Sequence, residues 1–263
     1  MALMAAEELG IDVYSITPVV ADTEAVGFTD VTEGSRATFA TGKAVVEACR
    51  ELKVELCRRA AQTMGVDEAE IEWVDGAAVS PSHGGEPLTL AAITAQAKRT
   101  GGPLTATASL NAAGAGPSFA VHCADLKVDE ETGQTAIVRY TAVQDAGTAI
   151  HPSYVEGQMQ GGSVQGIGWA LNEEYIFSSD GVLMNPGFLD YRIPVASDLP
   201  MIETIIVEVP NPSHPYGVRG VGETGIVPPM ATIGNAIKAA TGVRMTSLPM
   251  SPPKVLKALG DAR

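Results

Sequence analysis

The chain has 263 residues and a formal charge of −14, from 17 Lys and Arg against 31 Asp and Glu, which excludes nucleic acid as a default partner because phosphate contacts need a basic face. Hydrophobic residues at 45% and charged residues at 18% exclude a disordered chain, and aromatics at 5% exclude a base-stacking platform. The length suits one large domain or two small ones, with ample core either way.

In chain order, residues 2–9 read as a helix closed by Gly10 at the C′ position. This helix has no N-cap. It reads either as the start of a fragment or split polypeptide whose partner supplies what precedes it, or as a frayed terminal helix. Residues 11–16 alternate as a strand, and 21–39 are polar and turn-rich. The spacing of Val45, Cys49, Leu52, Leu56 and Ala60 predicts a long helix over 42–64, stopped by Gly65, with Cys49 as a packing residue. Residues 71–79 read as a hairpin turning at Asp75-Gly76, and 90–98 as a short helix ended by Gly101-Gly102. The Gly/Ala-rich stretch at 110–116 reads as a loop or lobe boundary, so that two lobes meet near 110–118.

Residues 118–128 and 135–143 form the strongest hairpin signal, joined by the acidic turn 129–134. Ser153-Tyr154-Val155-Glu156 spells a capping box opening a helix to about 171. That helix holds Gly157, Gly161, Gly162, Gly166 and Gly168, which together cost roughly 3–5 kcal/mol against Ala. Something must approach its backbone closely, either another helix or a ligand. Strands are expected at 174–177, 183–184 and 202–209, then a Pro/Gly loop over 211–225. Helices follow from about 230 to 240, and from the Ser251-Pro252 cap to 259. Strands and helices mix without a regular strand–helix–strand period, so the fold class is α+β, with mixed sheets and packed helices.

No apolar run reaches the roughly 18 residues of a membrane span, and the start, with two early acids and no basic region, carries no secretory signal. Cys49, Cys57 and Cys123 are odd in number and lack C-x-x-C spacing, so neither a zinc site nor an iron–sulfur cluster is expected from this chain alone. His83, His122, His151 and His214 are scattered. A reduced, cytoplasmic protein is the simplest expectation.

Gly220-Val221-Gly222-Glu223-Thr224-Gly225 spells G-x-G-x-x-G, but the loop from Pro210 to Gly220 separates it from the preceding strand and two prolines follow it. A dinucleotide fold is rejected on that context. The nucleophile elbow fails at 161–165 for want of its last Gly, and the phosphate loop fails at Gly42-Lys43. Three small-residue loops remain: Glu33 to Thr38, Val164 to Gly168, and Gly217 to Glu223. Their exposed backbone N–H groups, with Ser, Thr, Gln and Arg donors, suit a flat, polar, phosphate-bearing cofactor. Glu223 is a lone acid among glycines, either a base with a raised pKa or a cap on local amides.

Gly220-Val221-Gly222-Glu223, followed by a small-residue helix at 231–241, resembles the C-terminal end of the molybdenum-binding subunit of the xanthine dehydrogenase and aldehyde oxidase family. Further matching motifs are Leu189-Asp190-Tyr191-Arg192-Ile193-Pro194, Val164-Gln165-Gly166-Ile167-Gly168, the Ser35 loop and the acidic hairpin at 129–134. The resemblance runs from about residue 5 to 259. It implies the molybdenum cofactor-binding fold of that family. The molybdenum is carried on a pyranopterin dithiolene, with or without a cytosine nucleotide, and has no protein side chain as ligand. The implied reaction hydroxylates an aldehyde or N-heterocyclic carbon with oxygen from water, with Glu223 as base. Electrons then leave through [2Fe–2S] clusters to FAD on partner chains. Ser35, Arg36, Ala37, Thr38, Gln165, Gly166 and Gly222 would line the pterin. Cys123 matches a position near the cofactor, and Arg219 stands where some members carry a Lys near the substrate. The family's Gly-Gln-Gly loop and the preceding half of the molybdenum subunit are missing, so that N-terminal half is an implied partner beside the iron–sulfur and FAD subunits. The alternative from another class is a subunit or fragment that keeps the fold and only scaffolds a complex.

Overall fold

The computed structural model describes residues 1–24, 27–29, 31–82, 84–112 and 116–262; His83 and part of the 110–116 stretch lie outside the described residues. The chain divides into two units: Met1–Ala115 with Ser213–Pro215, and Gly116–Pro212 with Tyr216–Arg263.

In the first unit, α1 (Ala2–Leu9) ends at Gly10 in the left-handed conformation, φ 66°. Gly76 lies against it at φ 77°. A Cβ on Gly10 would stand 2.7 Å from the Gly76 N, so that position requires glycine both for its conformation and for space. The expected strand at 11–16 does not form. A 3₁₀ turn, Val13–Ser15, replaces it, because the Asp12 carboxylate accepts from the Tyr14 N–H at 3.0 Å and satisfies the backbone locally.

Helix α2 (Ala37–Met64) starts five residues earlier than its apolar spacing predicts. Phe39, 1% exposed, extends the buried stripe N-terminally and lies 5.4 Å from the His214 ring. The stripe runs through Val46 instead of Val45, then Cys49, Leu56 and Ala60. Burial pushes the Cys49 thiol pKa up, as suits a packing residue. The polar side is tied by Glu8–Lys53 at 2.9 Å, and Glu55 bonds Arg58 and Arg59. The hairpin β1 (Glu72–Val74) and β2 (Ala77–Val79) turns at Asp75-Gly76 as expected, and β3 (Leu88–Thr89) completes an antiparallel sheet. The short helix appears as α3 (Leu90–Ala95) and α4 (Ala97–Thr100), capped by Thr89 and closed at Gly101.

The second unit is built on β4 (Phe119–Val128) and β5 (Thr135–Asp145), an antiparallel pair with a bulge between Asp125 and Leu126. Asp129 closes the turn by accepting from the Glu131 and Thr132 amides. Helix α5 (Pro152–Leu171) then carries the chain to β6 (Ile202–Val207), which pairs parallel with β5. Parallel neighbours need such a crossover. The capping box does not form. Pro152 occupies the first helical turn, where its fixed φ suits it, so the N-cap falls on His151 and Ser153 bonds His151 Nδ1 at 3.2 Å. The strands expected at 174–177 and 183–184 shrink to one bridge, Phe177 with Leu183. Helices α6 (Pro228–Thr241) and α7 (Pro252–Asp261) follow, α7 with Ser251 at its N-cap. Strand alternation fixes which face is inside: Tyr140 and Ala142 of β5 meet Met159 and Ile167 of α5 and Ile233 and Ile237 of α6 in one core. Among the described residues, no helix is long and apolar enough to cross a membrane.

Candidate active site

Glu223 sits at the N-cap of a 3₁₀ turn, Thr224–Ile226, that leads into α6. Its side chain makes no capping hydrogen bond to that turn, and the residue is exposed. The turn lies directly on α5. A Cβ on Gly162 would stand 3.0 Å from the Gly225 carbonyl carbon, so one of the five helix glycines exists to admit this backbone.

The loop before Glu223 is fastened to the ends of β4 and β5. Gly147 bridges Val218, and the Ser118 hydroxyl donates to the Gly220 carbonyl. Gln144 Nε2 donates to the Val221 carbonyl at 3.1 Å. Arg219 pairs with Asp145 at 3.1 Å and donates to the carbonyls of Val209 (3.0 Å) and Pro117 (2.8 Å). Asp145 spends its other oxygen on the Gly147 and Val209 amides. Both charged side chains are about nine-tenths buried.

The geometry places three of the expected residues as follows. Arg219 is paired with Asp145 and two carbonyls inside its own unit, which makes its side chain a clamp on the loop. Gly166 is buried: a Cβ there would stand 2.7 Å from Pro229 Cγ and 2.8 Å from the Ile226 carbonyl oxygen. Its small size admits α6 and the turn before it. Cys123 is exposed at an outward position of β4, opposite Thr141 on β5, while α5 and α6 cover the inward face.

The same helix also has an open side. Gly157 and Gly161 have no non-local atom within 4 Å of a would-be Cβ, and Gln158 and Gln165 are exposed beside them. Gly222, partly buried, precedes Glu223 on the turn that α5 supports. In the first unit, Gly34 and Ser35 adopt successive left-handed conformations, φ 59° and 56°, and deliver Arg36 to the N-cap of α2. Ala37 and Thr38 begin that 28-residue helix and are exposed. The first-turn N–H groups of a helix have no intrahelical acceptor and attract anionic or carbonyl oxygens.

Sequence reasoning missed Gln144, Asp145 and Ser118. A signal for Gln144 exists: it follows Tyr140 and Ala142 at inward parity, and a polar residue there must serve something inside. Below it, His122 Nδ1 meets the Tyr140 hydroxyl at 2.9 Å. Burial lowers the His122 pKa to about 4 and raises that of Tyr140.

In the second unit, a helix with open glycines and exposed amide side chains supports a turn that bears an exposed carboxylate. Residues 1–200 match the molybdopterin cofactor-binding domain family, and the chain belongs to it. Over 258 residues it is 34% identical to a putative xanthine dehydrogenase molybdenum-binding subunit of Escherichia coli K12, covering 96% of this chain and 34% of that protein. It is 29% identical to the carbon monoxide dehydrogenase large chain of Hydrogenophaga pseudoflava, covering 99% of this chain and 33% of that one. Among solved structures, it superposes on a copper–molybdenum CO dehydrogenase with a TM-score of 0.86 at 25% identity, and on quinoline 2-oxidoreductase from Pseudomonas putida 86 with 0.85 at 26%. Each superposition covers 99% of this chain and 34% of the other. The chain therefore spans about a third of the length of these relatives. Glu223 lies beyond the 1–200 match but inside the span of the whole-chain likenesses.

Proposed function

We propose that this chain forms one wall of a molybdenum hydroxylase active site. The observation that carries this reading is the exposed Glu223 carboxylate on a turn fixed to α5, β4 and β5. Bound molybdopterin, with or without its cytosine nucleotide, supplies the two-electron chemistry that places oxygen from water on an aldehyde or N-heterocyclic carbon. Glu223 would accept, at a carboxylate Oε, the proton that the water-derived oxygen gives up. Gln165 and the Gly222 backbone hold polar edges of the pterin from the second unit. The opposite wall belongs to sequence outside these 263 residues, since the relatives are about three times as long. Partner chains bearing [2Fe–2S] clusters and FAD take the electrons.

The test is Glu223→Gln in the assembled complex. It keeps shape and hydrogen-bonding capacity but cannot accept the proton. Molybdenum, iron and subunit stoichiometry are expected to stay at wild-type values while kcat falls at least about 100-fold. Loss of the cofactor instead would make Glu223 a structural cap. Retention of both cofactor and rate would leave this chain as a scaffold.

A further inference from the structure

We infer that Gln144 is a positioning residue for Glu223: its amide, buried beneath the loop, holds the Val221 carbonyl and so fixes where the carboxylate two residues later points. The inference rests on the reading of Glu223 as the base. Gln144 is 1% exposed and stands on the inward face of β5. Its Nε2 donates to the Val221 carbonyl at 3.1 Å. Its Oε1 is also buried and has no hydrogen-bond partner among the described residues. An amide that satisfies only one of its two ends is a poor choice for core stability, because the idle carbonyl carries its desolvation cost uncompensated. A methionine of similar volume would fill the same space without that cost. What Gln144 adds over methionine is the bond to the loop.

The neighbouring contacts show why that bond matters. Ser118 grips the Gly220 carbonyl and Arg219 is clamped to Asp145, so the chain is held up to residue 220. From Gly225 onward it is seated on Gly162 of α5. Between these supports lie Val221, Gly222, Glu223 and Thr224. Gly222 adds backbone freedom there. The Gln144 amide anchors the backbone within this span, and its removal loosens the turn that carries Glu223.

The experiment compares Gln144→Met with wild type by hydrogen exchange on the full chain, then by kinetics in the assembled complex. Exchange in the 220–225 segment is expected to rise about tenfold, the effect of one lost hydrogen bond, with the β4–β5 core unchanged. In the complex, molybdenum content is retained, kcat falls about tenfold with little change in KM, and the acid limb of the pH–rate profile moves. A uniform rise in exchange across the second unit, or none in 220–225, overturns the inference and makes Gln144 a filler. Gln144→Leu is the second variant should Gln144→Met fold poorly: it too removes the bond to the Val221 carbonyl and should loosen 220–225 likewise, and an unmoved loop in it overturns the inference. If Glu223→Gln keeps full rate while Gln144→Met still loosens the loop, the base assignment fails and the anchoring stands.

Discussion

Arg219 and Glu223 stand four residues apart on one loop and meet opposite fates. Arg219 is taken inside by Asp145 and two carbonyls; Glu223 is left exposed on the turn that α5 supports. The glycines of α5 divide the same way. Gly162 and Gly166 touch the chain's own backbone and Pro229, whereas Gly157 and Gly161 face nothing nearby. The difference teaches that residue type alone does not mark a ligand site here. Some of the unusual residues build the mount, and the others are what the mount presents.

Several substitutions separate these two groups. The largest effect is expected on the packed side. Gly166→Val drives side-chain atoms into Pro229 and the Ile226 carbonyl, and should destabilise the second unit by about 3 kcal/mol or more in urea unfolding. A variant as stable as wild type would erase the distinction between packed and open glycines. Arg219→Met leaves the Asp145 carboxylate nine-tenths buried without its cation, which should cost about 3 kcal/mol. If the variant is instead fully stable and only substrate KM changes, Arg219 belongs with the open side after all.

A pH titration examines the packed interior from another direction. The folded pKa of His122, about 4, lies below the ordinary value of 6.5, so the unfolded chain binds this proton more readily. The stability it contributes is complete above pH 6.5 and is lost as pH falls toward 4, on the order of 2 kcal/mol. His122→Gln should flatten that slope, measured as unfolding midpoint against pH; an unchanged slope would show that other groups set it. The smallest effect belongs to the open side. Gly161→Ala should stabilise the chain by itself by about 0.5–1 kcal/mol, since no neighbour opposes the methyl. In the assembled complex the same methyl is expected to lower molybdenum content. Stabilisation with normal content would mean that nothing approaches Gly161 closely.

Much of this arrangement was legible in the sequence, for reasons that are local. The β4–β5 hairpin, the Asp75-Gly76 turn and the stops at Gly10, Gly65 and Gly242 follow from alternation and from left-handed positions that glycine fills. Gly220-Val221-Gly222-Glu223 was legible as a motif. What was not legible was long-range. Asp145 and Arg219 are 74 positions apart, and no spacing rule links them. The strand expected at 11–16 and the capping box at Ser153 failed because a neighbouring side chain or proline competed for the same backbone. Whether a helix glycine is packed or open depends on what the chain brings back some 60 residues later, which periodicity within the helix does not contain.

The first unit takes its last piece from far along the chain. His214 places its ring against Phe39, and Lys43 Nζ donates to the Ser213 carbonyl at 3.4 Å, although nearly a hundred residues of the second unit are strung between 115 and 213. Vectorial synthesis therefore cannot finish the first unit before much of the second has left the ribosome. Cutting the gene at the 115–116 boundary would not isolate a complete unit either. It would yield an N-terminal product whose Phe39 faces water where an imidazole should lie, so the minimal self-sufficient piece is discontinuous in sequence and has to be engineered by splicing residues 213–215 back in.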